Sequence, residues 1–192
     1  MSTSFYLASK SPRRQELLRQ LHYRFAVLAA DIPEQPGAQE RPDAFARRMA
    51  LEKARAVQPP QAELPVLGAD TDVVLDGRIL GKPRDRADAL AMLAALSGRR
   101  HQVYSAVALV QGAREALSLS VTEVEFGRID TEAAQRYWDS GEPADKAGAY
   151  GIQGLGAQFV KAIHGSYSGV VGLPLYETVQ LLQQFHIHPG TP

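Results

Sequence analysis

Apolar positions along this chain alternate between the two periods that distinguish strands from helices. Phe5-Tyr6-Leu7-Ala8 is a short apolar run read as a buried strand, and Leu17, Leu18 and Leu21 then recur on one helical face. Between them Ser11 suits an N-cap and Pro12 the first helical position, where an absent N–H is not missed. Phe25 to Leu28 predicts a second strand, followed by a loop over Ala30 to Gly37 rich in turn residues and acids. Phe45, Met49, Ala50, Ala54 and Val57 predict a helix from about Asp43 to Val57, ending near Pro59-Pro60. Val66-Leu67 then leads as a strand into Gly68-Ala69-Asp70-Thr71, which places Asp70 at a strand's C-terminal end, the ligand edge of open α/β sheets.

The second half continues in the same manner. Val73 to Leu80 predicts a hairpin turning on Asp76-Gly77, and Asp85 caps a helix carrying Ala89, Leu90, Leu93 and Leu96 that stops at Gly98. Val103 to Val110 and Leu117 to Phe126 are alternating, β-branched runs joined at Gln111-Gly112, and Thr131 to Trp138 reads as a helix. Ala147 to Gly156 is too rich in glycine for a regular element and is expected to be a shaped loop whose backbone approaches something closely. A strand over Phe159 to Ile163, a helix over Pro174 to Phe185 and a frayed tail from His186 to Pro192 complete the expectation.

This succession describes one α/β domain, and 192 residues suffice to bury a continuous core. A hydrophobic fraction of 45% and a charged fraction of 22% are those of a globular protein. With 21 basic and 21 acidic residues there is no broad positive field for duplex nucleic acid, so an anionic ligand must be met by a local cluster. The absence of cysteine excludes disulfides, thiolate nucleophiles and cysteine-ligated zinc. Without a signal-peptide pattern or a long apolar run, the chain is expected to be cytoplasmic and free of membranes.

Four clusters carry candidate chemistry. Ser9, Ser11, Arg13 and Arg14 surround a predicted helix N-terminus, where free N–H groups, the dipole and two guanidinium groups attract phosphate; the same residues equally describe a cap with two solvated arginines. Asp70 beside Thr71 suits a metal ligand or a proton acceptor. Asp70-Thr71-Asp72-Val73 also matches phosphatases with an aspartate nucleophile, although no acidic pair for magnesium follows. Lys53, on a helix, and Lys82, in Gly81-Lys82-Pro83, are candidate phosphate ligands, and Glu34 is a candidate to share a metal with Asp70. In Gly151-Ile152-Gln153-Gly154-Leu155-Gly156, Gln153 offers an amide able to donate and accept at a base edge; neither a dinucleotide fingerprint nor a P-loop is present. His101 and His164 flank strands and are expected to pack.

Leu7 to Leu18, Glu52-Lys53-Ala54, Gly68-Ala69-Asp70-Thr71, Gly81-Lys82-Pro83, Lys146 to Gly154 and Val170-Val171-Gly172-Leu173-Pro174, in this order, closely resemble the Maf family of nucleotide pyrophosphatases. The resemblance spans about Phe5 to Phe185. It implies a mixed twisted α/β sheet flanked by helices, with a cleft between two lobes, similar to Maf and inosine triphosphatase folds. It further implies metal-dependent cleavage of a nucleoside triphosphate between its α- and β-phosphates, in a homodimer. Carried over by position, Asp70 is the proton acceptor, Ser9, Arg13, Arg14, Lys53 and Lys82 the triphosphate grip, and Glu34 a metal ligand, the metal being magnesium, manganese or cobalt. Ser-Pro-Arg-Arg, Asp-Thr and Tyr-Gly-Ile-Gln-Gly resemble the subgroup preferring dTTP and UTP, with Arg13, Thr71 and Gln153 at the selectivity positions. The physiological pyrimidine, ordinary or modified, stays open. Asp72 departs from the usual aliphatic residue. A nucleotide-binding regulator without turnover is the non-enzymatic alternative.

Overall fold

In the computed structural model, which describes residues 3–59, 61 and 63–190, the elements follow the predicted order with three differences. The strands are β1 (Phe5–Leu7), β2 (Phe25–Val27), β3 (Val66–Leu75), β4 (Arg78–Leu80), β5 (Arg100–Gln111), β6 (Arg114–Phe126) and β7 (Val160–His164). The helices are α1 (Pro12–Gln20), α2 (Pro42–Ala56), α3 (Arg86–Leu96), α4 (Thr131–Asp139), α5 (Tyr167–Val171) and α6 (Leu175–Gln184). The first difference is β3, which does not end at Asp70 but runs through it, so that Asp70 lies within a strand. The second is α5, a single capped turn in a stretch that the apolar pattern leaves without an element; Ser166 accepts from the Gly169 N–H at 3.0 Å. The third is the tail. Ile187 is buried and the Gly190 N–H donates to the His22 carbonyl at 2.9 Å, so the chain packs as far as Gly190 rather than fraying at His186. Residues 191–192 of that tail lie outside the described residues.

One sheet of seven strands runs in the order β2-β1-β3-β5-β6-β7, with β4 also on β3. β1 is parallel to β2 and β3, whereas β4, β5, β6 and β7 join antiparallel. On one edge of β3, β1 pairs with Val66 and Leu67 and β4 pairs with Val73 to Leu75. Residues 68–72 between them have no strand partner on that edge. β1 leaves the sheet into Ala8-Ser9 at one side of this gap, and β4 leaves it into Gly81-Lys82 at the other.

The inward residues of the long strands alternate, as a half-buried sheet requires. Leu67 and Ala69 of β3 and Leu109 and Val107 of β5 join α1 and α6 in one core with Leu18, Leu173 and Leu182. Val73 and Leu75 of β3 and Val103 of β5 join α3 and α4 in a second core with Leu93, Leu96, Phe126 and Tyr137. Between these cores the inward positions are Thr71 and Ser105, paired across the strands. Two hydroxyl residues thus interrupt two apolar cores on shared strands, and the molecule divides into two lobes there.

α2 covers the other face of the sheet. Its Ala46 and Ala50 pack on Ala106 and Ala108 of β5, and its Ala54 on Val66 and Val110. The approach is close because Gly68 lacks a side chain: a Cβ there would lie 2.0 Å from the Ala50 carbonyl oxygen. Among the described residues no helix is long and apolar enough to cross a membrane.

Candidate active site

The cleft between the lobes has a volume of about 710 Å³, and every residue expected to grip phosphate, hold metal or select the base lines it. Ser9 to Arg14 form one wall, because β1 delivers them to the gap in β3 and Ser11 then starts α1, its hydroxyl accepting from the Arg14 N–H at 3.5 Å. The two arginines part company. Arg14 turns inward, its Nε donating to the Gly172 carbonyl at 2.8 Å and its terminal nitrogens to Ser9 Oγ at 3.2 Å and Thr71 Oγ1 at 3.4 Å. Arg13 points across the cleft, with Nη1 3.9 Å from Asp145. A helix N-terminus, a second serine hydroxyl and a positioned guanidinium therefore share one spot, an arrangement with the chemistry to hold a phosphate while Ser11 caps the helix.

Thr71 is tied into the lobe junction. Its hydroxyl donates to the Gly172 carbonyl at 3.2 Å, and Ser105 donates to the Gly169 carbonyl at 2.6 Å. The Gly172 carbonyl, just after α5, thus holds both Thr71 and Arg14, a function of that turn with no local sequence signal beyond its glycines.

Lys53, Asp70 and Glu34 form the floor. α2 brings the Lys53 ammonium to 2.6 Å from Asp70 Oδ1 on β3 and 2.8 Å from Glu34 Oε1 on the acidic loop. Lys53 and Asp70 are buried, and Glu34 is half exposed. Burial pushes the Glu34 carboxyl up, but the Lys53 hydrogen bond and the charges of Lys53, Lys82 and Arg14 outweigh it and leave its pKa below the ordinary value. Two carboxylate oxygens from different segments thus converge on one positive charge. That donor set suits a hard divalent cation whose remaining ligands are water and phosphate oxygens, as magnesium favours. Among the described residues no group of three His, Asp or Glu side chains has metal-binding geometry.

Asp72, one strand repeat further on, lies behind Asp70 and does not line the cleft. It is 7% exposed, and Oδ2 has no hydrogen-bond partner. Desolvation first, and then the neighbouring Asp70 charge, push its pKa above the ordinary carboxylate value. The second aspartate of the Asp70-Thr71-Asp72 pattern, on which the phosphatase alternative depends, is therefore outside the cleft.

Lys82 stands on the wall left by β4. Gln153 stands on the wall formed by the glycine-rich turn, whose preceding residue Ile152 is anchored in the first core. The glycines of that turn make room for protein groups: a Cβ on Gly154 would lie 2.2 Å from Glu142 Oε2, and one on Gly156 2.6 Å from the Tyr137 hydroxyl. Glu142, Lys146 and Asp145 line the cleft as well. Spacing along the chain did not single out Glu142, because its backbone partners Leu155 and Gly156 lie 13 and 14 residues on. His101 packs as expected, its Nε2 2.8 Å from the Tyr150 hydroxyl in the second core, whereas His164, expected to pack as well, is exposed at the end of β7.

A cleft with a helix N-terminus, serines and arginines on one wall, carboxylates and a buried lysine on its floor and a glutamine-bearing turn opposite defines an α/β protein whose site suits a nucleotide with a polyphosphate chain. The chain belongs to the family of Maf-like proteins, whose model matches residues 4–185. It is 52% identical over 192 residues to the dTTP/UTP pyrophosphatase of Saccharophagus degradans, covering 97% of this chain and 90% of that protein. It is also 52% identical over 188 residues to the dTTP/UTP pyrophosphatase of Xanthomonas oryzae pv. oryzae, covering 95% and 99%. Among solved structures the Ham1 protein of Staphylococcus aureus shares the fold, with a TM-score of 0.50 and 15% identity over 95% of this chain and 97% of that one.

Proposed function

We propose that this protein hydrolyses dTTP and UTP to the nucleoside monophosphate and pyrophosphate. One observation carries the reading: the phosphate wall, the Asp70 floor and the Gln153 turn line a single cleft in a chain about half identical to relatives named for that activity. Ser9, Ser11, Arg13, Lys53 and Lys82 bind the triphosphate, while Arg14 holds Ser9 and Thr71 in place as well as adding charge. Glu34 and Asp70 would hold a divalent cation, which when bound would neutralise phosphate charge and acidify a water.

Asp70, held by Lys53, takes the proton from an attacking water as the water oxygen bonds to the α-phosphorus. The bond from the α-phosphorus to the bridging oxygen breaks, and pyrophosphate leaves intact. The cationic wall stabilises the charge that spreads onto the leaving phosphates. Gln153 faces the base edge, with Arg13 and Thr71 completing the selection.

The test is a panel of nucleoside triphosphates, ordinary and modified, with magnesium, manganese or cobalt, and products separated by ion exchange. UMP and pyrophosphate from UTP are expected; inorganic phosphate from UTP points to a phosphatase, and binding without products to a regulator. Asp70→Asn is expected to lower kcat by about a thousandfold or more while nucleotide still binds. An active Asp70→Asn enzyme removes Asp70 from the role. The family likeness also suggests a cytoplasmic homodimer, which sedimentation equilibrium checks for the oligomer and fractionation for the compartment.

A further inference from the structure

Gln153 is the only residue of the glycine-rich turn whose side chain offers a base-reading amide, yet no described hydrogen bond fixes that amide. What fixes the turn is a buckle beneath it. Glu142 Oε1 accepts from the Tyr137 hydroxyl at 2.8 Å and from the Gly156 N–H at 3.1 Å, and Oε2 accepts from the Leu155 N–H at 2.8 Å. The Tyr137 hydroxyl in turn accepts the Gly151 N–H at 3.0 Å. One carboxylate and one phenol therefore hold both ends of the turn, residues 151 and 155–156, with Gln153 between them. Tyr137 itself is 2% exposed and anchored in the second core against Phe159. The room for the buckle comes from Gly154 and Gly156.

We propose that Glu142, through Tyr137, is the positioning residue that sets the base preference of this site by holding the Gln153 turn at a fixed height over the cleft. The inference rests on the proposed nucleotide chemistry and deepens it. Charged acceptors bind N–H and O–H donors more strongly than neutral ones do, and a carboxylate alone can accept all three bonds with both oxygens. An amide in its place cannot: whichever way it turns, its NH2 group meets a backbone N–H, at Leu155 or at Gly156. The turn is then released at one end. Because Glu142 acts on the turn and not on the phosphates, its loss belongs in nucleotide selection and not in the chemical step.

The experiment is a double-mutant cycle between Glu142→Gln and Gln153→Ala, read as kcat and KM for UTP and CTP at saturating metal. Glu142→Gln is expected to lower the UTP-to-CTP ratio of kcat/KM by about tenfold, through KM for UTP and with kcat little changed. In the Gln153→Ala background the same substitution should do almost nothing, because the group it positions is gone. Tyr137→Phe, which keeps the buried ring, should shift the ratio in the same direction and stands in should Glu142→Gln fail to fold. An unchanged ratio, additive losses in the cycle, or a uniform fall of kcat for every nucleotide overturns the proposal. The cycle is scored on the best and second-best nucleotides of the wild-type panel, or on their dissociation constants if none is turned over. A different best nucleotide thus refutes the pyrimidine reading while leaving the buckle open to judgement.

Discussion

Lys53 holds the charge balance of the cleft floor, since its side chain is 9% exposed and that of Asp70 7%. A buried pair of this kind does little for stability as a whole, but removing one partner strands the other charge, at a cost of about 3 kcal/mol. Lys53→Met is accordingly expected to lower the unfolding free energy by about that amount in urea at pH 7. In an Asp70→Asn background the loss should be smaller; equal losses in both would mean the two side chains do not interact. His101 is the second residue with a measurable signature. Burial lowers its pKa from 6.5 to about 4, so the folded protein holds it neutral where the unfolded chain protonates it. The unfolded state binds more protons between those values, so the stability from neutral His101 is complete above pH 6.5 and lost as pH falls toward 4. Between pH 7 and pH 5 the wild type is expected to lose about 2 kcal/mol more than His101→Phe does. Parallel pH profiles for the two proteins would contradict that assignment. Asp70, Lys53 and Lys82 were legible as chemistry from residue type and neighbours, whereas Glu142 was not, because nothing local distinguishes an acid that caps a turn far along the chain from a solvated one.

At the scale of elements, β3 decides the site. The apolar run Val66-Leu67 ends in sequence at glycine, alanine and two acids, which reads as a strand stopping at its ligand end. The chain continues instead because β5 pairs with it from Val66 to Val74, so the backbone groups of the polar stretch are satisfied in the sheet. Tertiary pairing thus overrides the local pattern, and the site opens sideways at the gap between β1 and β4. α2 must also lie close enough for Lys53 to reach Asp70, which depends on Gly68. Gly68→Ala forces a methyl against the Ala50 carbonyl and is expected to cost about 3 kcal/mol, or roughly 10 °C in the thermal midpoint of a chain this size. It should also lower activity by moving Lys53; a variant with wild-type melting and turnover would mean that α2 can shift freely. α5 was invisible to periodicity because five residues with one glycine carry no stripe, and only the Ser166 cap and the Gly172 carbonyl that accepts from Arg14 and Thr71 give it a purpose.

For the whole molecule, two cores share one sheet and are separated by the hydroxyl pair Thr71 and Ser105, so a ligand in the cleft contacts both lobes. Binding across that junction stabilises the folded chain by mass action. With metal and UTP at a hundred times its dissociation constant, Asp70→Asn is expected to gain about 2.7 kcal/mol, which is roughly 5 to 10 °C by thermal denaturation. No shift at saturating nucleotide would mean that the cleft does not bind it. The sequence by itself determined the order of nearly every element, the α1 cap at Ser11, the hairpin at Asp76-Gly77 and the residue types of the Ser9 to Arg14 wall, because caps, turns and apolar periods are local properties of the chain. Tertiary structure alone decided that Arg14 turns inward while Arg13 faces the cleft, that Asp70 sits within a strand, that Asp72 is buried behind it and that Glu142 braces the Gln153 turn. Each of those outcomes depends on which distant backbone groups meet in the fold, and no window of sequence contains both partners.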